Sequence, residues 1–237
     1  MNLRKLGFIT FTFVLCTHLI INAQSIHVGG TFPTIDHSGK ISNKVEYSLY
    51  YFAAFPHINF DAPNLSEDSY FHLFYSEQAL TYQVNNKFSL TGSYVYQRAN
   101  VVYDNYVNEN RFYLQAKYKH SIKKINLTHR FRFDGRFVHN RTTNETPFTH
   151  RVRYLIGLDT PINKTLYLNA YQEAFFNTVK NSTVFFEENW AYAAIGKKLN
   201  ERNKIEAGIL YVTWSIGKTN WFHQYYFQLT WISRLFH

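Results

Sequence analysis

From about Ile41 onward, apolar and polar residues alternate one for one along the chain. That is the period-2 signature of strands with two unlike faces. Phe88, Leu90, Gly92, Tyr94 and Tyr96 alternate with Ser89, Thr91, Ser93 and Gln97, and Phe112, Leu114, Ala116 and Tyr118 with Arg111, Gln115, Lys117 and Lys119. The clearest run sets Ile125, Leu127, His129, Phe131, Phe133 and Phe137 against Asn126, Thr128, Arg130, Arg132, Asp134 and Arg136. No stretch beyond the N-terminal segment has helical period. The pattern predicts ten strands, over 42–54, 70–84, 88–102, 109–122, 125–138, 148–160, 165–177, 184–198, 204–216 and 221–236. Pro33, Pro56, Pro63, Pro147 and Pro161 fall between these runs, where a sheet tolerates them.

The connectors alternate in length. Short polar joints at 85–87, 123–124, 161–164 and 200–203 interleave with longer ones at 55–69, 103–108, 140–147, 178–183 and 217–220. Short turns at one end and long loops at the other describe an all-β, antiparallel up-and-down β-barrel of the transmembrane type. Ten strands is the expected number, with twelve as the alternative if residues 24–40 contribute two more. Gly29, Gly30, Pro33 and Gly39 favour reading 24–40 as an N-terminal segment, periplasmic or folded into the lumen, ahead of a barrel over 41–237. An even strand number places both chain ends on the short-turn side.

Composition sharpens this picture. Aromatic residues make up 19% of the chain, yet mean hydropathy is −0.32. Disordered chains are poor in rings, and helical membrane proteins repeat apolar runs of about 18 or more residues; here one such candidate exists, at the N-terminus. Arg4 and Lys5 precede an apolar run from Leu6 to Ile21, and Ala23 precedes Gln24. Residues 1–23 therefore read as a secretory signal peptide. Its removal takes away the single cysteine, Cys16, and lowers the net charge from +9 to +7, so no disulfide supports the fold. The strand candidates exceed the ~5–6 residues usual in soluble sheets and suffice to cross a bilayer, for which ~9–11 are needed. Rings concentrate at the ends of the apolar faces, as at a lipid–water boundary. The opposite faces carry many long charged groups, which suits a wet lumen. The last strand sets Tyr225, Phe227, Leu229 and Trp231 on one face and ends Phe236-His237, close to the C-terminal pattern that barrel-assembly machinery reads.

The later strands carry short motifs: Arg151-Val152-Arg153-Tyr154, Gly157 through Pro161, Tyr171-Gln172-Glu173 through Asn177, Phe185-Phe186-Glu187-Glu188-Asn189, Tyr192 through Leu199, and Glu206 through Tyr211. With these the chain resembles the outer-membrane β-barrel family catalogued as domain of unknown function 2490, from Gram-negative bacteria. The resemblance implies the barrel fold and the cell outer membrane, and no established activity. Trp190 departs from the family pattern, which implies an arginine after the Asn.

Turn lengths fix register. A two-residue turn at Lys123-Lys124 pairs Lys117 with Arg130, Gln115 with Arg132, Tyr113 with Asp134 and Arg111 with Arg136. Two of these are like-charge pairs, unfavourable when directly opposite, so acids are expected nearby; Asp134, Glu173 and Glu187 are the candidates. A three-residue turn after Ile162 sets Arg153 opposite Glu173, and the turn at 85–87 sets Glu77 beside Val95. The expected lumen network is Glu77, Arg111, Lys117, Arg130, Arg132, Asp134, Arg136, Arg151, Arg153, Glu173 and Glu187.

Function expectations follow from barrel size. Barrels of ~8 strands have interiors just filled by side chains, and aqueous channels belong to ~16–18. The expectation is a structural or interaction barrel with a charge-networked, largely filled lumen. The alternatives are a small anion-leaning pore passing an anionic solute, a lipid-modifying enzyme of the outer membrane, and a secreted soluble β-sandwich. No catalytic, cofactor or metal residues are assigned: no serine sits in a nucleophile elbow, and the histidines show no ligand spacing. The expected partners are outer-membrane lipid and lipopolysaccharide, and the assembly machinery during insertion. Positive residues at alternate strand positions, not along one stripe, argue against nucleic acid. The acidic connector 55–69 is the expected place for a protein contact.

Overall fold

A computed structural model of the protein describes residues 25–60, 72–101, 106–139, 141, 143–179, 185–215 and 220–235. Eleven strands form one closed barrel among them: β1 (Ser25–Lys40), β2 (Val45–Asn59), β3 (Leu73–Gln83), β4 (Phe88–Ala99), β5 (Val107–Ile122), β6 (Ile125–Val138), β7 (Phe148–Pro161), β8 (Leu166–Asn177), β9 (Phe186–Lys198), β10 (Asn203–Ser215) and β11 (Trp221–Leu235). Each pairs antiparallel with its chain neighbours, and β1 closes the barrel against β11 in parallel. The ten expected strands all form. Residues 1–23, expected from the sequence to be a signal peptide, most of the 55–69 connector and the final Phe236-His237 lie outside the described residues.

The strand number is corrected from ten or twelve to eleven, because residues 25–40 are neither a free segment nor two strands but one 16-residue strand. The residues that argued against a strand here have local roles. The β1–β2 register shifts between Gly29 and Gly30, where Gly29 faces Ile58 and Gly30 faces Pro56. A β-carbon at Gly30 would lie 2.1 Å from the Phe55 carbonyl oxygen, so only glycine allows the backbones to approach at this bulge. Pro33 points outward, and the ladder to β2 passes from Thr31 to Thr34 without it. An odd number also overturns the expectation for the ends: Ser25 lies at the long-loop rim and Leu235 at the short-turn rim.

The five short turns share a simple chemistry. Ser42, Asn85, Asn163 and Asn200 each accept a hydrogen bond from the backbone N–H three residues on, at 3.1, 2.9, 2.8 and 2.8 Å. This is the local side-chain-to-backbone turn that Asn and Ser favour. The fifth turn, Lys123-Lys124, has two residues and holds Lys123 at φ 56°, the left-handed conformation that tight hairpins demand.

The parallel seam is reinforced by side chains. Arg234 on β11 donates to both carboxylate oxygens of Asp36 on β1, at 2.9 and 2.7 Å, and to the Asp36 carbonyl at 3.0 Å. Higher up, Gln228 donates to Thr34 at 3.3 Å.

The two faces of the wall are unlike. Every strand turns exposed large apolar or aromatic side chains outward, Leu80, Leu90, Phe112, Leu114, Phe131, Ile195, Ile209, Phe227 and Trp231 among them. Among the described strands, charged outward residues occur near the rims, at Arg98 and Lys197. Inward positions hold the buried charges together with an aromatic cluster.

Gly30→Ala is expected to destabilise the barrel by about 2 kcal/mol or more, since the clash is with backbone. Gly92→Ala, whose added carbon would meet only Leu114 at 4.0 Å, is expected to stay within about 0.5 kcal/mol of wild type. Equilibrium urea unfolding of both variants checks the contrast.

Candidate functional site

The lumen is two-sided because its wall is. Strands β5 to β7 supply the six arginines of the main charge network, β3, β5, β6, β8 and β9 its carboxylates, and β1, β2 and β9 to β11 most of the buried rings and aliphatics. The short two-residue turn sets the β5–β6 register as the sequence indicates, with Lys117 facing Arg130, Gln115 Arg132, Tyr113 Asp134 and Arg111 Arg136. Glu77 faces Val95.

Carboxylates then resolve the like charges. Glu109 accepts from both Arg111 Nε and Arg136 Nε at 2.8 Å, so one acid serves the Arg111/Arg136 pair. Arg136 also reaches Glu187 across the lumen at 3.4 Å. Asp134, fully buried, accepts from Arg151 Nε at 3.0 Å and has Arg153 and Arg111 at 3.7 and 3.9 Å. Arg151 extends to Glu188 at 3.3 Å. Glu173 takes a two-pronged bond from Arg153, 2.8 Å on each arm, and a third contact from Arg130 at 2.7 Å. Glu77 accepts from the hydroxyls of Tyr75 and Tyr113, each at 2.6 Å, and lies 3.5 Å from Arg132. Arg132 in turn donates through Nε and Nη2 to Gln115. In total six guanidiniums (Arg111, Arg130, Arg132, Arg136, Arg151, Arg153) meet six carboxylates (Glu77, Glu109, Asp134, Glu173, Glu187, Glu188). Buried charge is stable when it is matched and hydrogen-bonded in this way.

The aromatic side reaches across. Trp190 on β9 packs 6.0 Å from Phe32 on β1 and 6.0 Å from Phe52 on β2, while Phe52 stacks on Tyr75 at 4.5 Å. None of the strands carrying these β9–β1 and β9–β2 contacts is adjacent in the sheet, so the side chains bridge the lumen. Arg151 and Arg153 lie over Phe175 at 4.8 and 4.2 Å, and Arg132 over Tyr113 at 3.7 Å. These contacts set ring faces against the guanidiniums within the charged part of the wall. A cavity of about 1000 Å³ remains, its wall extending from Asp36 and Lys119 near the short turns to Trp214 near the long loops.

A family model described as protein of unknown function (DUF2490) matches residues 30–223 of the sequence. The chain belongs to the DUF2490 family. No curated protein matches it. At the departure noted in the sequence, Trp190 keeps one arginine-like property in this DUF2490 barrel: its Nε1 donates to Glu188 at 2.6 Å.

Two sequence expectations need correction here. Arg153 is not directly opposite Glu173. Pro161 pairs with Tyr167, leaving five residues between them where three were expected, so Leu155 faces Glu173 and Arg153 faces Phe175. A slip of two keeps both side chains on one face, and the diagonal reach still makes the bond. Lys117 is not part of the network: its ammonium has no hydrogen bond or ion pair among the described residues. The sequence reading also missed Glu109 and Glu188, although Glu109 shares the parity of Arg111 and so was readable. It missed Glu206, which is held by neutral donors: Tyr167 at 2.8 Å, Asn169 at 3.0 Å and Tyr192 at 3.2 Å. Tyr167 can lie there because Gly196 leaves room; a β-carbon at Gly196 would sit 2.1 Å from the ring.

Asp134→Asn should cost about 3–5 kcal/mol, since it strands three guanidiniums beside a neutral amide. Glu187→Gln, at a site 29% exposed, should cost about 1 kcal/mol or less. Urea unfolding followed by tryptophan fluorescence, which reports on lumenal Trp190, measures both; equal costs would contradict this ordering.

Proposed function

We propose that this chain is a non-catalytic β-barrel of the cell outer membrane, exported by its N-terminal signal peptide, with a lumen bridged by a balanced charge network. The single observation that carries the reading is the outward face. All eleven strands present exposed large apolar side chains there, whereas soluble monomers rarely expose apolar patches beyond a few hundred Å². A closed barrel leaves no unpaired edge, which is the condition for strands to sit in hydrocarbon.

Ring placement supports the same reading. Near the long-loop rim the outer face carries Phe55, Phe148, His150, Trp221 and His223, and near the short-turn rim Tyr47, Tyr82, Tyr118, His129 and Trp231. Leu114 and Ile209 lie between. Rings at two levels, several of them with polar tips, match two lipid–water boundaries. At the lower level His129 hydrogen-bonds Tyr154 at 2.8 Å and stacks on His120 at 5.4 Å. Lipid and lipopolysaccharide would contact this outer surface, and assembly machinery would act during insertion.

The six-to-six balance and the cross-lumen contacts favour a structural or interaction barrel over an anion-leaning pore. The folded protein is expected to migrate faster on a denaturing gel unheated than boiled, to fractionate with outer membranes, and to give no conductance steps in planar bilayers. A soluble periplasmic monomer would refute the membrane reading, and steady single-channel steps would restore the pore.

A further inference from the structure

The network leaves one part of the lumen uncompensated. Lys117 and Lys119 on β5 line the short-turn half of the cavity, and neither ammonium has a hydrogen bond or ion pair among the described residues. Arg130, facing Lys117 in the register, bonds Glu173 through Nη2 alone, and its buried Nε has no partner. Like charges directly opposite are unfavourable unless a counter-charge lies between them. The acids across this half are engaged elsewhere: Asp36 is clasped by Arg234, Glu46 accepts from Gln83 at 3.2 Å, Asp159 accepts from Asn126 at 2.9 Å, and Glu206 is held by Tyr167 and Asn169.

Two further groups reach the same space. The Tyr50 and Tyr171 hydroxyls border the cavity and have no hydrogen-bond partner among the described residues. Two ammoniums, one guanidinium edge and two phenols therefore line the short-turn half of a cavity whose whole volume is about 1000 Å³, and part of that volume is enough for a small-molecule site. Exposed Lys123 and Lys124, in the turn between β5 and β6, continue the positive charge out to the rim. Such a gradient raises the local concentration of anions.

We propose that the short-turn half of the lumen is a binding cup for a small multivalent oxyanion, phosphorylated or polycarboxylate, held between Lys117 and Arg130 with Lys119 at the entrance. Guanidinium and ammonium groups suit either oxyanion, and the two phenols donate to its remaining oxygens. The cup rests on the bridged-lumen reading only for its direction of access, from the short-turn rim.

Titration calorimetry of the purified, folded barrel with pyrophosphate in one arm and citrate in the other tests this. Saturable binding at one site that weakens with added salt is expected, and the tighter arm identifies the ligand class. Lys117→Gln and Arg130→Gln should each weaken binding about tenfold, while Lys164→Gln, in another short turn, should leave it unchanged. Because Arg130 also touches Glu173, heat-modified migration of each variant confirms folding, and Lys119→Gln provides a second variant outside the network. Absence of binding to a folded barrel, or wild-type affinity in both Lys117→Gln and Lys119→Gln, overturns the cup and leaves the membrane reading intact. Binding by a protein that fails to fractionate with membranes would support the cup and refute the membrane reading.

Discussion

The structure depends on matching charge inside a closed wall. Turning apolar side chains outward on eleven strands leaves the inward positions to polar residues, and the barrel is too narrow to hydrate them freely. A guanidinium placed there must find a carboxylate within reach or be excluded. Strand geometry makes the match possible: alternate residues on one face are close enough to share an acid, as Arg111 and Arg136 share Glu109. Diagonal neighbours can still meet when directly opposite ones do not, as Arg153 and Glu173 do.

The matching is local, which explains the division of the lumen. The arginines of the network concentrate on β5 to β7, while the largest buried ring and aliphatic cluster gathers around Phe32, Phe52, Leu210 and Tyr226. Arginine suits such a wall because its planar group accepts an aromatic face and a carboxylate at once. Arg153 does both, with Phe175 beneath it and Glu173 at its edge. A lysine could not fill that position, and where lysines do face the lumen, at Lys117 and Lys119, the network stops.

Much of this was readable from the sequence. Alternation located ten strands and separated the faces, and the two-residue turn at Lys123-Lys124 fixed every pair between β5 and β6. The first strand was hidden because its signals have two meanings. Gly30 and Pro33 usually punctuate loops, and here glycine makes a bulge while proline points out of the ladder. The spacing between the paired residues Pro161 and Tyr167 is two longer than the three-residue turn expected from the sequence, which displaced the Arg153 register by two. The acids at Glu109 and Glu188 lie at strand ends, where periodicity is weakest. Cross-lumen packing such as Trp190 against Phe32 depends on barrel closure and leaves no trace in local sequence.

The parallel seam gives the molecule a polarity that an even-stranded barrel lacks. In an even barrel the first and last strands lie side by side and run in opposite directions, so their free ends meet at one rim and a few residues could join them. Here β1 and β11 run the same way, and a connection between their outer ends would have to cover the height of a 16-residue strand, roughly 50 Å of chain at about 3.3 Å per residue. Circular permutation is therefore disfavoured by topology, whatever the sequence at the joint. The same arrangement offers opposite rims as attachment points, so one chain can be tethered through β1 on the long-loop side and through β11 on the short-turn side.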